Sequence, residues 1–163
     1  MITEQPLALA LTDHFGEAIN RTSFDGKWLL VFFGFTHCRS VCPRNLEKLT
    51  AALDFVSDLT AEIQPLYITV DPARDSPEVM RAFLEERYPR FVGLTGSDDE
   101  IREAKDHFGV FARRQDEGDG NYQMPHTSLT YLVDPNGMYR AHWPAVLDVD
   151  DIGDRIRRSM RPS

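Results

Sequence analysis

The run WLLVFFGF, residues 28–35, constrains the fold of this chain more than any other stretch. Its apolar residues do not alternate with polar ones, which is typical of a strand buried on both faces. Strands of this kind occur mostly in parallel sheets that helices cover on both sides. The run is also far shorter than the roughly 20 residues needed to cross a bilayer. It therefore predicts the central strand of an α/β sheet.

A β-α-β unit is predicted around this run. Apolar residues at helical spacing follow it, with Pro43 where a first helical turn tolerates proline. These residues are Leu46, Leu49, Leu53 and Val56. The next apolar run is QPLYITV, residues 64–70, which predicts a second, parallel strand. The loop GFTHCRSVCP, residues 34–43, should then lie at the carboxyl end of the first strand, the edge where open α/β sheets place their sites.

Capping signals predict two further helices. Ser76, followed by a first-turn proline, predicts a helix that runs to about Tyr88. Ser97 with Glu100 forms a capping box on a second helix, which should end at Gly109.

The rest of the chain predicts a loop, a hairpin and a closing helix. Residues 113–123 are polar and contain glycine, so we expect a mobile loop. Residues 128–133 and the strand after the DPNG turn at 134–137 predict a hairpin. Apolar residues every fourth position from Ile152 predict a terminal amphipathic helix.

This order of elements is the thioredoxin-type arrangement. We expect one α/β thioredoxin-like domain over residues 1–163, with a mixed central sheet flanked by helices. Extra elements are expected between the β-α-β unit and the C-terminal hairpin, at about residues 71–123. No repeat, linker or low-complexity tract divides the chain.

Composition argues against some functions and indicates that the fold does not need the cysteines for stability. A chain of 163 residues with 42% hydrophobic residues can bury a core without disulfides or metals. The net charge of −8 argues against nucleic-acid binding, because no basic run exists to neutralise phosphates. No signal-peptide pattern or membrane span is expected in this sequence, although a soluble part of an anchored protein would look the same.

The two cysteines of the chain are Cys38 and Cys42. We expect Cys38 in the loop after the first strand and Cys42 at the start of the following helix. A helix N-terminus favours the thiolate form of cysteine. Two such thiolates can form a disulfide or bind one soft metal ion, and their spacing alone does not choose between these. Packing alone is the less favoured interpretation, because strand-to-helix turns are exposed and commonly functional.

A metal would need a third ligand, and His126 is the histidine best placed to supply it. The chain also contains His14, His37, His107 and His142. His37 is adjacent to Cys38 but should point away from it, and His107 should interact with a helix dipole. His126 precedes the strand at 128–133, which in a thioredoxin-like sheet lies beside the strand that carries the thiol loop. Two thiolates and one imidazole suit copper, as Cu(I) or Cu(II), whereas structural zinc would need a fourth ligand.

Several motifs together resemble the Sco/SenC family of copper chaperones. They are FFGFTHCRSVCP, VDPARDSP at 70–77, GLTG at 93–96 and His126 ahead of YLVDPNG. The resemblance covers essentially the whole chain. It implies a thioredoxin-like fold and one copper per chain on Cys38, Cys42 and His126.

The resemblance also implies partners and a location. Family members help assemble the CuA site of cytochrome c oxidase, so the expected partner is subunit II of that enzyme or another copper donor or acceptor protein. The native protein would be membrane-anchored, at the periplasmic face of the bacterial inner membrane or in the mitochondrial intermembrane space. We expect a monomer.

Four positions depart from the family pattern. Arg39-Ser40 stands where relatives have Pro-Asp between the cysteines, Pro125 replaces an aspartate before the histidine, and Thr127 replaces a serine after it. The arginine should favour thiolates and repel Cu(II). The position of the thioredoxin cis-proline falls near Ser128, so that proline is absent.

Two functions follow from these residues. The first is a copper metallochaperone, which needs both cysteines and His126. The second is an enzyme, a thiol-disulfide oxidoreductase that acts on cysteines of the copper acceptor or of other proteins, with Cys38 and Cys42 as the redox-active pair. Only the first needs His126. A plain oxidoreductase would more often carry C-x-x-C and a cis-proline, which favours copper.

Overall fold

A computed structural model describes residues 10–24, 26–36, 41–116, 118, 122–123, 129–144 and 146–160. The strands are β1 (Ala10–Asp13), β2 (Ala18–Asn20), β3 (Trp28–Gly34), β4 (Ile63–Thr69), β5 (Val92–Thr95), β6 (Gln115–Asp116), β7 (Tyr122–Gln123), β8 (Leu129–Val133) and β9 (Tyr139–Pro144). The α-helices are α1 (Val41–Phe55), α2 (Pro77–Arg87), α3 (Asp98–Phe108) and α4 (Val149–Met160).

Seven strands form one mixed sheet in the order β2-β1-β5-β4-β3-β8-β9. Strands β3, β4 and β5 are parallel, while β8 pairs antiparallel with β3 and β9 antiparallel with β8. The predicted β-α-β unit is β3-α1-β4. The predicted α/β fold, with a mixed sheet flanked by helices, is confirmed.

Each face of the sheet carries its own apolar core because the central strands are buried on both sides. In β3, Leu30 and Phe32 face a cluster that includes Leu49 of α1 and Ile156 of α4. The alternate residues Val31 and Phe33 face a second cluster with α3. The absence of alternation in residues 28–35 therefore reflects helices on both faces of the sheet.

The predicted helices are confirmed, with their caps. Ser76 accepts a hydrogen bond from the Val79 backbone N–H at the start of α2. Ser97 and Glu100 form the expected capping box on α3. This helix ends at Gly109, whose φ of 68° lies in the left-handed region that glycine adopts without strain.

The sequence prediction was wrong or incomplete at two places. Residues 113–123 were expected to be a loop, but β6 and β7 pair there, with Gln115 opposite Gln123 and Asp116 opposite Tyr122. Strands β1, β2 and β5 were not predicted. They are short, and β1 and β2 lie at an edge of the sheet, so they lack the long apolar runs that mark β3 and β4. In the described part of the chain, no helix is long and apolar enough to cross a membrane.

Candidate metal centre

The predicted metal ligands lie largely outside the described residues. This holds for Cys38 and His126, while Cys42 lies in the first turn of α1 without a described side chain. His37, Pro125 and Ser128 are also outside them. The three-ligand site is therefore still a prediction. Among the side chains that the structure describes, no group of three His, Cys, Asp or Glu residues could hold a metal ion.

The structure does describe the sheet edge at which the chain leaves β3 toward the predicted thiol ligands and enters β8 after the predicted histidine ligand. Thr130 of β8 lies opposite Phe32 of β3 in antiparallel register, and β3 ends at Gly34. The chain therefore enters β8 at the same edge at which it leaves β3. This neighbour relation was predicted from the thioredoxin-like arrangement, and the strand pairing confirms it.

A five-residue turn after β4, Asp71-Pro72-Ala73-Arg74-Asp75, lies at this edge. We call it the DPARD turn. The Val70 N–H donates to the Gly34 carbonyl at 2.8 Å, which joins the residue before the turn to the end of β3. Within the turn, the N–H groups of Arg74 and Asp75 donate to the Asp71 carbonyl at 3.2 and 3.0 Å.

Asp75 is fully buried and binds Thr36, two residues before Cys38. Its Oδ2 accepts the Thr36 N–H at 3.0 Å, and its Oδ1 accepts the Thr36 hydroxyl at 2.5 Å. Oδ2 also accepts the Thr69 hydroxyl at 2.7 Å. A buried carboxylate is tolerated when hydrogen bonds of this kind compensate its desolvation. Asp75 thus fixes the point at which the thiol loop leaves the sheet.

Asp71 is nearly buried and binds Tyr122, four residues before His126. Its Oδ1 accepts the Tyr122 hydroxyl at 2.9 Å, and its Oδ2 accepts the Nε–H of Arg74 at 2.5 Å. The Arg74 guanidinium lies 3.6 Å from the centre of the Tyr122 ring, and that of Arg114 lies 4.0 Å from it. Burial, and then the hydrogen bond to Asp71, raise the pKa of Tyr122, so it remains a donor at neutral pH.

A cavity of about 280 Å³ opens beside this contact. Its charged lining residues are Asp71, Asp98, Arg102, Lys105 and Arg114, with Tyr122 among its uncharged ones. Two carboxylates and three cationic side chains therefore line it, and Asp71, one of the carboxylates, is the group that binds Tyr122.

Sequence reasoning identified part of this arrangement. The motif VDPARDSP at 70–77, one of those that carry the family resemblance, contains Asp71 and Arg74, and their ion pair fits a structural role. Thr36 and Tyr122 were missed. Tyr122 lies 51 positions from Asp71, and no local pattern indicates a contact across that separation.

Comparison with known proteins assigns the chain to a family. The SCO1/SenC family model matches residues 7–161. An SCO2-like protein of Rickettsia felis is 40% identical over 135 residues, which are 82% of this chain and 66% of that protein. The chain thus spans slightly less than two thirds of the length of this curated relative.

Solved structures match nearly the whole chain. Copper-bound ScoI of Arabidopsis thaliana has a TM-score of 0.90 and 30% identity, covering 96% of this chain and 98% of its own. Copper-bound ScoI of Bradyrhizobium japonicum has a TM-score of 0.85 and 32% identity, covering 95% and 99%. BsSco, a cytochrome c oxidase assembly protein in which a disulfide switch was identified, has a TM-score of 0.72 and 26% identity, covering 96% of both chains.

The family match spans nearly the whole sequence, and the structural matches reproduce the thioredoxin-like sheet. The resemblance drawn from the sequence motifs is thereby confirmed: the chain belongs to the SCO1/SenC family.

Proposed function

We propose that this chain is a copper metallochaperone that assists assembly of the CuA site of cytochrome c oxidase. The observation that carries the proposal is the convergence of two segments at one sheet edge. The segment with Cys38 and Cys42 follows β3, and the segment with His126 precedes β8, its antiparallel neighbour. The copper-bound relatives and the assembly role of BsSco support it.

The donor set fits copper by its chemistry. Cys38 and Cys42 offer thiolates, which are soft ligands, and His126 offers an imidazole, which suits both Cu(I) and Cu(II). A three-ligand site of this kind holds one copper per chain and leaves room for an incoming thiolate. Copper then passes by ligand exchange to the thiols of an acceptor, with subunit II of cytochrome c oxidase or another copper protein as that acceptor.

The same proposal includes the oligomeric state of the protein and its location in the cell. The single domain acts as a monomer, at the periplasmic face of a bacterial inner membrane or in the mitochondrial intermembrane space. The full protein is anchored in the membrane that it faces. Both bacterial and mitochondrial relatives are among the matches.

A thiol-disulfide oxidoreductase is the second candidate, and the disulfide switch of BsSco favours it. One thiolate of the Cys38–Cys42 pair attacks a disulfide in the target, whose other sulfur leaves as a thiol. The remaining cysteine then resolves the mixed disulfide. Two electrons pass to the target, and the chain ends with a Cys38–Cys42 disulfide. A separate dithiol must reduce that disulfide before another cycle.

Removal of His126 separates the two functions. Anaerobic titration of the reduced parent should give one tightly bound copper. His126→Ala should weaken copper binding at least about 100-fold, because outer-shell changes alone cost 10–100-fold. Its thiol-disulfide exchange with a small-molecule disulfide should remain close to that of the parent.

His142→Ala, which changes an exposed part of β9, is the matched control and should bind copper like the parent. If His126→Ala instead retains the copper affinity of the parent while its exchange rate collapses, the metallochaperone assignment is wrong.

A further inference from the structure

The DPARD turn contacts both segments that lead to the proposed ligands. Through Asp75 it binds Thr36 on the thiol side, and through Asp71 it binds Tyr122 on the histidine side. The two carboxylates belong to one short turn closed by backbone hydrogen bonds to the Asp71 carbonyl. The thiol segment and the histidine segment are therefore attached to the same rigid piece of chain.

The connections from these contacts to the ligands are short. Cys38 follows Thr36 by two residues, which span at most about 7 Å, and His126 follows Tyr122 by four, which span at most about 14 Å. The other end of the histidine segment is held at Leu129, where β8 begins beside β3. A segment that is fixed at both ends has fewer conformations before an ion binds. It therefore loses less conformational entropy when the ion binds.

Several contacts hold the Tyr122 side chain in one position. The phenol is 9% exposed, its hydroxyl donates to a carboxylate that is itself 3% exposed, and two guanidinium groups lie over its ring. One hydrogen bond and two cation–π contacts thus hold one side chain, and Asp71 and Arg74 in turn hold each other. A tyrosine that only filled space would need none of them.

We propose that the DPARD turn sets the separation between the thiol pair and His126, with Tyr122 as the positioning residue for the histidine side and Thr36 for the thiol side. This inference rests on the proposed copper function. Neither residue is a ligand. Each preorganises a ligand segment, so each contributes to copper affinity through the segment that it holds.

A double-mutant cycle tests the histidine side. Tyr122→Phe keeps the ring but removes the hydroxyl that binds Asp71. It should raise the copper dissociation constant about tenfold in the parent, as outer-shell changes do. In the His126→Ala background it should have no further effect, because the residue that Tyr122 positions is gone. The dissociation constants are measured by competition with a chromogenic Cu(I) chelator.

A change at Thr36 should affect copper binding whether or not His126 is present, unlike the change at Tyr122. Thr36→Val removes the hydroxyl that binds Asp75 and should weaken copper binding in both backgrounds, because the thiolates remain ligands in each. Tyr131→Phe is the matched control. Its hydroxyl is buried in β8 with no hydrogen-bond partner in the described structure, so copper affinity should not change.

The outcomes separate the two proposals. Suppose that the parent binds copper and that His126→Ala weakens this binding. If Tyr122→Phe then binds copper like the parent, or weakens copper binding equally with and without His126, the positioning role is wrong and the copper function stands. If His126→Ala itself binds like the parent, the copper function fails first. Urea unfolding in the absence of copper, run in parallel, shows whether Tyr122→Phe changes only stability, a result that would also overturn the positioning role.

Discussion

At the scale of single residues, the carboxylate of Asp75 is buried and held by three hydrogen bonds. It is 0% exposed and accepts hydrogen bonds from the Thr36 backbone and from the hydroxyls of Thr36 and Thr69. Its own backbone carbonyl accepts the Thr95 hydroxyl at 2.8 Å. Three strand ends, those of β3, β4 and β5, are thereby joined around one aspartate. A buried polar group of this kind stabilises the fold only while every partner is present.

Thr69→Val tests this network. The Thr69 hydroxyl donates to Asp75 and accepts the Asp71 N–H at 2.9 Å, so its removal leaves two buried groups each short of a partner. Since each such loss costs about 1–3 kcal/mol, we expect a decrease of about 2–3 kcal/mol in the free energy of unfolding. Urea unfolding followed by circular dichroism measures it.

Thr130→Val is the matched control. Thr130 is a buried threonine for which the described structure records no side-chain hydrogen bond, so the change should cost less than about 1 kcal/mol. If Thr69→Val and Thr130→Val lower the free energy of unfolding equally, the hydrogen bonds of Thr69 do not add to stability.

At the scale of elements, α2 packs so closely on β5 that a Cβ at position 93 would crowd two of its side chains. A Cβ at Gly93 would lie 2.7 Å from Leu84 Cδ1 and 3.0 Å from Met80 Cε, both on fully buried side chains of α2. The same strand leads to Thr95, which binds the DPARD turn.

Gly93→Ala should destabilise the protein by about 1–2 kcal/mol, because overpacking a buried contact costs 1–3 kcal/mol and exceeds the gain from a stiffer unfolded chain. Thermal and urea unfolding measure the change. In a Leu84→Ala background the added methyl has room, so Gly93→Ala should cost much less there. The same cost in both backgrounds would contradict steric crowding as the cause.

At the scale of the whole molecule, the sheet separates two cores, with α1 and α4 contributing to one and α3 to the other. The side chains of β3 alternate between these cores.

His107, in the last turn of α3, was expected to interact with the helix dipole, which would raise its pKa. Burial instead lowers the pKa of His107, because the partly buried ring favours its neutral form.

This shift predicts how stability depends on pH. The unfolded chain binds a proton at His107 more readily than the folded chain, so the free energy of unfolding should fall as pH falls below about 6.5. Between about pH 7.5 and about pH 5.5, urea unfolding of His107→Gln should show a smaller decrease than the parent. Identical decreases in the two proteins would mean that His107 contributes nothing to the pH dependence.

The sequence by itself determined the centre of the fold and the chemistry of the proposed site. Residues 28–35, the capping box at Ser97 and the 134–137 turn carry their structural signal within a few residues, because periodicity, caps and turns are local properties of the chain. The donor set of Cys38, Cys42 and His126 is likewise a prediction from the sequence.

Only the tertiary structure decided how distant segments meet. It paired the short strands β6 and β7, added β1, β2 and β5 to the sheet, and placed the Tyr122 hydroxyl on Asp71. Short strands and single side-chain contacts bury too little apolar surface to leave a periodic pattern. Their partners are chosen by the packing of the complete chain. The DPARD turn, which resembles an ordinary strand-end turn in the sequence, therefore contacts both Thr36 and Tyr122, the residues that lead to the proposed ligands.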